Sequence, residues 1–130
     1  MLFVSMVGQV DAATILSQVP AGMLCPGEEV TFSCSVTSTA LRWLVVTSTL
    51  GMQQQATFLD DPQLDPGPNP TTFTVGGIVF TAHVTSRSPG AMASTLMVSV
   101  TNTLNGATVQ CSDAEGGEEA VTIDIVGKYV

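Results

Sequence analysis

Three cysteines, one histidine and eleven carboxylates are the side chains of this 130-residue sequence with the widest chemical reach. The cysteines stand at 25, 34 and 111, so three single pairings are open and each leaves one thiol over. His83 stands alone. A zinc site needs several more ligands and a catalytic triad needs a fixed partner, so His83 reads as a solvent-facing structural residue. The carboxylates cluster twice: "SDAEGGEEA" holds Asp113, Glu115, Glu118 and Glu119, and "LDDPQLDPG" holds Asp60, Asp61 and Asp65. Hard oxygens at that density suit calcium, but the spacing follows no calcium-loop pattern, so both clusters read as solvated loop charge. No metal or other cofactor is expected. No glycine-rich loop opens a helix to hold a phosphate, and no serine sits in a nucleophile elbow. The chain is therefore read as no enzyme.

The elements that must position these residues are strands. In "EVTFSCSV" Val30, Phe32, Cys34 and Val36 share one face while Thr31, Ser33 and Ser35 share the other. "ALRWLVV" turns Leu41, Trp43 and Val45 inward, and "MQQQATFLD" is a weaker strand. "DDPQLDPGPNP" has four prolines, which lack the ladder donor, and is a loop. "GGIVFTAHV", "STLMVSV", "LNGATVQC" and "AVTIDIV" then alternate with the turn signals "RSPG" and "EGG". No segment of ten or more residues has a helical period. Seven or eight half-buried strands imply two antiparallel sheets covering each other's apolar faces, an all-β sandwich.

The bulk numbers agree. The chain has the length of one domain and buries roughly two-thirds of its unfolded surface. It is 45% hydrophobic and only 11% charged, which argues against disorder. Three basic residues, Arg42, Arg87 and Lys128, face the eleven acidic ones for a net charge of -8. That charge repels phosphate backbones and anionic membranes, so no nucleic-acid partner and no direct membrane insertion are expected, and any charged partner should be basic. No apolar run reaches the ~20 residues of a membrane helix. Residues 1–11 read as a signal-peptide remnant or a first strand, and 12–127 as the domain.

Cys34 and Cys111 share the inward phase, on an early strand and on the second-last strand. A bond between them would cross the core, and closing so long a loop stabilises by about 4 kcal/mol. Trp43, inward on the next strand, would lay its ring against that bridge. Cys on strand B, Trp on strand C, "STLMVSV" on strand E and "LNGATVQC" on strand F resemble the immunoglobulin superfamily over residues 12 to 127. "CPGEEVTFSC", the short turn "SVTST" and "LNGATVQC" look most like the immunoglobulin-like domains of sponge and cnidarian cell-surface receptors and adhesion proteins.

The resemblance implies an immunoglobulin-like β-sandwich with Greek-key connections, of variable or intermediate type. Its core would hold Trp43, Leu96 and Val109. It departs from the family at Val109, where a tyrosine usually holds the strand E to F corner, and at Asn105, where an aspartate is common. The corner is then expected to rest on Asn105 in a local turn. The implied function is extracellular, at the cell surface: a recognition module binding a protein ligand or a second copy. Asp113, Glu115, Glu118 and Glu119 form the candidate recognition loop, suited to a basic partner. No usable Asn-x-Ser/Thr sequon covers the surface, so Arg42, Leu44 and Gln110 are free for face-to-face pairing. Cys25 is a buried free thiol or an intermolecular one. The alternative to recognition is a structural spacer domain in a longer secreted or membrane-anchored protein, and a third reading is an unrelated sandwich with coincident cysteines.

Overall fold

The structure, a computed structural model, describes residues 14–47, 52–65 and 67–126. The expected N-terminal segment 1–11 and Lys128 lie outside the described residues. The described residues form nine strands: β1 (Thr14–Val19), β2 (Glu29–Val36), β3 (Ala40–Thr47), β4 (Met52–Leu59), β5 (Thr71–Val75), β6 (Ile78–Ser88), β7 (Ala91–Ser99), β8 (Thr108–Asp113) and β9 (Glu118–Thr122). One sheet runs β1-β2-β7-β6-β5 and the other β9-β8-β3-β4, and every ladder is antiparallel. The fold is the all-β sandwich of two antiparallel sheets that the alternation predicts.

The period-2 pattern sets each strand's inner face. β2 buries Val30, Phe32, Cys34 and Val36, β3 buries Leu41, Trp43 and Val45, and β8 buries Val109 and Cys111. Phe80 and Leu96, in the same sheet as β2, are both fully enclosed. Each such side chain contributes roughly 1.5–3 kcal/mol by leaving water, which is what holds the two sheets together.

Two features depart from the sequence reading. The alternation assigns no strand between the proline-rich run and Gly76, yet β5 forms there. It pairs with β6 through a two-residue Gly76–Gly77 turn, with Val75 opposite Ile78 and φ of 58° and 81° at the glycines. Left-handed residues at both central positions match the right-handed strand twist, which is why a Gly-Gly pair makes the hairpin. Phe73 lies opposite Phe80, their rings stacked at 5.4 Å, and this pair packs β5 onto the core. The second departure is the β7–β8 corner. The Asn105 backbone N–H closes a local turn on Asn102 O at 3.1 Å, but its side chain does not: Oδ1 accepts from the Ile125 N–H at 2.8 Å, binding the corner to the segment after β9.

The chain's first segment serves both sheets. β1 pairs with β2, and the Val19–Pro20 bond, which is cis, carries the chain off that edge. Leu24 then forms a parallel bridge with Ile125, donating to Asp124 O at 2.8 Å and accepting from Val126 N at 2.7 Å. Leu24 is fully buried, so this edge of the sandwich is closed by an apolar plug.

Candidate functional site

At the centre of the sandwich Cys34 and Cys111 are joined, with Cα atoms 6.5 Å apart. In the ladders Cys34 stands opposite Ser94 on β7, and Trp43 on β3 stands opposite Cys111. The indole Nε1 donates to Ser94 Oγ at 2.9 Å, and Ser94 Oγ donates to the His83 carbonyl at 2.8 Å. All of Trp43 and nearly all of Ser94 are buried, so this chain satisfies an N–H that water cannot reach. Sequence reasoning missed Ser94, although its signal was present: a polar residue in the inward phase of Leu96 and Val98. The His83 side chain points outward and is exposed.

The candidate recognition loop divides into one built-in residue and three presented ones. Partial burial works against ionisation of Asp113, but its donors prevail: Thr14 Oγ1 at 2.7 Å and the Gly117 and Glu115 amides at 2.8 Å each. Together they hold the carboxyl below its ordinary range. A Cβ on Gly117 would overlap the Asp113 carboxylate, so glycine is required for that close approach. Asp113 thus shapes the turn between β8 and β9 and pins it to β1. Glu115, Glu118 and Glu119 are exposed.

The second acidic cluster is tied in the same way. Asp60 Oδ2 accepts from Gly90 N at 2.7 Å, and Asp61 Oδ1 accepts from Gln63 N at 2.9 Å. Asp65 Oδ2 accepts from Leu59 N at 3.0 Å and pairs with Arg87 at 3.2 Å. Among the described residues, no group of three or more metal-ligating side chains converges.

The fold brings the two clusters to one end, which the sequence did not show. Ser38, buried in the turn between β2 and β3, accepts on Oγ from Ala114 N at 2.9 Å. Its neighbour Thr39 accepts on its carbonyl from Asp60 N at 3.0 Å, and Asp60 reaches on to Gly90. Four turns are therefore sewn together, and they carry Asp60, Asp61, Asp65, Asp113 and Glu115. Arg87 is engaged by Asp65, and Arg42 shares a surface hollow with Asp113. An open groove of about 410 Å³ runs between Asp60, Asp61 and Pro62 on one side and Arg87, Ser88 and Pro89 on the other.

The outer face of the four-stranded sheet adjoins this end. Leu44 stands between Gln110 and Gln55 in one row, and Arg42 between Ser112 and Thr57 in the next, with Glu118 beyond Ser112. Arg42 Nε donates to Ser112 Oγ at 3.3 Å. Arg42, Leu44 and Gln110 thus share one surface. Near the opposite end Cys25 is exposed and free, its amide donating to Glu28 Oε1 at 2.9 Å, so the buried-thiol reading does not hold. Its place in the turn before β2, outside either ladder, leaves the side chain nothing to pack under.

No helix among the described residues is long and apolar enough to cross a membrane. Compared with protein-family models, curated proteins and solved structures, the chain matches none.

Proposed function

We propose that this domain is an extracellular recognition module of the immunoglobulin superfamily, part of a cell-surface receptor or adhesion protein, which docks a basic protein partner at its acidic end. The observation that carries the reading is the convergence of two sequence-distant carboxylate clusters on four turns that hydrogen bonds hold rigid. Such a concentration of one sign of charge steers an oppositely charged partner and raises its rate of encounter. Pre-ordered turns lower the entropic cost of docking. The groove beside Asp60 and Asp61 has room for a lysine or arginine side chain, and the Leu44 row offers an uncharged flank. The covalent bridge beside a buried tryptophan supports the superfamily and an oxidising compartment.

The experiment uses a tetramerised form of the domain, titrated onto live cells of the encoding organism. Saturable binding is expected, with association slowed about tenfold or more in the Glu115→Gln, Glu118→Gln, Glu119→Gln triple variant and a flatter salt dependence. A spacer domain gives no saturable binding. Binding with an on-rate indifferent to the triple substitution removes the acidic end from the account.

A further inference from the structure

We propose that the outer face of the five-stranded sheet seats a second copy of this chain, in a two-fold, face-to-face dimer. This inference does not rest on the acidic end, which lies elsewhere on the surface.

The first ground is charge. The molecule carries -8 overall, yet residues 14–19, 30–36, 71–75, 78–86 and 91–99 contain no aspartate, glutamate, lysine or arginine. These segments make up nearly the whole five-stranded sheet. Glu29 and Arg87 stand only at its rim. Two copies of an acidic protein repel each other wherever carboxylates face carboxylates, and this face escapes that penalty. The four-stranded face, with Arg42 and Glu118 on it and the acidic turn at its corner, does not.

The second ground is self-complementarity, which a two-fold interface demands because the same patch meets itself. The central row reads Ser17, Ser33, Thr95, His83. A hydroxyl is both donor and acceptor, so a serine and threonine row can bond its own image, which a row of one charge cannot. The relief is mixed too. Ile15, Val19 and Val79 stand out from the face, 61%, 64% and 54% exposed. Between them lie two hollows, one of about 210 Å³ lined by small residues such as Ser33, Ser35 and Ala93, and one of about 290 Å³ lined by Thr81, Met97 and Ser99 with Glu29 from the rim. Protruding apolar groups and small-residue hollows on one patch allow each copy to fill the other.

The third ground is size. Five strands about 4.8 Å apart, each contributing about seven residues at about 3.4 Å, make a face of roughly 600 Å² in projection. Side-chain relief raises this toward the roughly 800 Å² per partner of a standard interface. The two sheets would pack aligned, about 10 Å apart and about 30° off parallel.

Sedimentation equilibrium tests this on the oxidised chain with Cys25 alkylated, so that no intermolecular disulfide forms. A reversible dimer is expected, held or strengthened as sodium chloride rises from about 0.05 to 0.5 M, since salt screens the remaining repulsion. Ser33→Glu and, separately, Ser17→Glu at the exposed edge strand should each raise Kd about 100-fold or more, because every substitution enters the interface twice. Leu44→Glu on the opposite sheet should leave Kd unchanged. A monomer at all concentrations up to about 1 mM overturns the proposal. So does a dimer that salt dissociates, or one lost in Leu44→Glu and kept in both serine variants.

Discussion

Trp43 Nε1 donates to Ser94 Oγ beside the Cys34–Cys111 bridge, and the two cross-links tie two neighbouring strands of one sheet to two of the other. One is covalent from β2 to β8, the other polar from β3 to β7. Removing the serine hydroxyl strands an indole N–H in a region without water, a cost of about 1–3 kcal/mol. Ser94→Ala should therefore lower the urea midpoint without changing the slope. The emission of Trp43, the sole tryptophan, reports the transition directly. An unaltered midpoint would deny the hydrogen bond any stabilising role.

Asp113 gives the turn a pH dependence whose sign follows from its lowered carboxyl pKa. The folded state favours the ionised form, so the contribution is complete above the unfolded value of about 4 and fades as pH falls through the folded value. Unfolding of the wild type and of Asp113→Asn should differ most above about pH 5 and converge as pH falls below the unfolded value. A gap that stays constant over that range assigns the substitution's effect to shape alone. In the same turn, Gly117→Ala should destabilise the wild type by about 1–3 kcal/mol through overlap with the carboxylate. In an Asp113→Ala background it should cost far less, because the clash has gone, and equal costs in the two backgrounds would show that the clash is not the cause.

Asn105 fastens the β7–β8 corner to Ile125. Asn105→Ala should cost about 1 kcal/mol and, more tellingly, speed amide exchange at Ile125 and Val126 and at Leu24 across the bridge. Protection unchanged at all three would mean that the buried Leu24 holds this edge without the amide.

What the sequence made legible was the part governed by phase. Cys34, Trp43, Leu96, Val109 and Cys111 all take the inward positions that a two-residue period assigns them. β5 escaped notice because five residues of "TTFTV" after four prolines carry too little alternation, and Gly76–Gly77 was read as a strand's start instead of a hairpin's turn. The acidic end escaped for another reason. Thr14 and Asp113 lie 99 residues apart, and Ser38 and Ala114 lie 76 apart. No local pattern marks a hydroxyl whose partner arrives from the far side of the fold, so Asp113 looked like one more solvated charge.

The disulfide also decides how the domain carries tension. Force drawn along the backbone meets the β1–β2 ladder from one side and the parallel Leu24–Ile125 bridge from the other, before it reaches the disulfide. Force entering at Cys34 then passes through the sulfur–sulfur bond and leaves at Cys111. Strands β3 to β7 all lie within the loop so closed. They are off the load path, and the groove beside Asp60 keeps its shape while the chain around it is pulled.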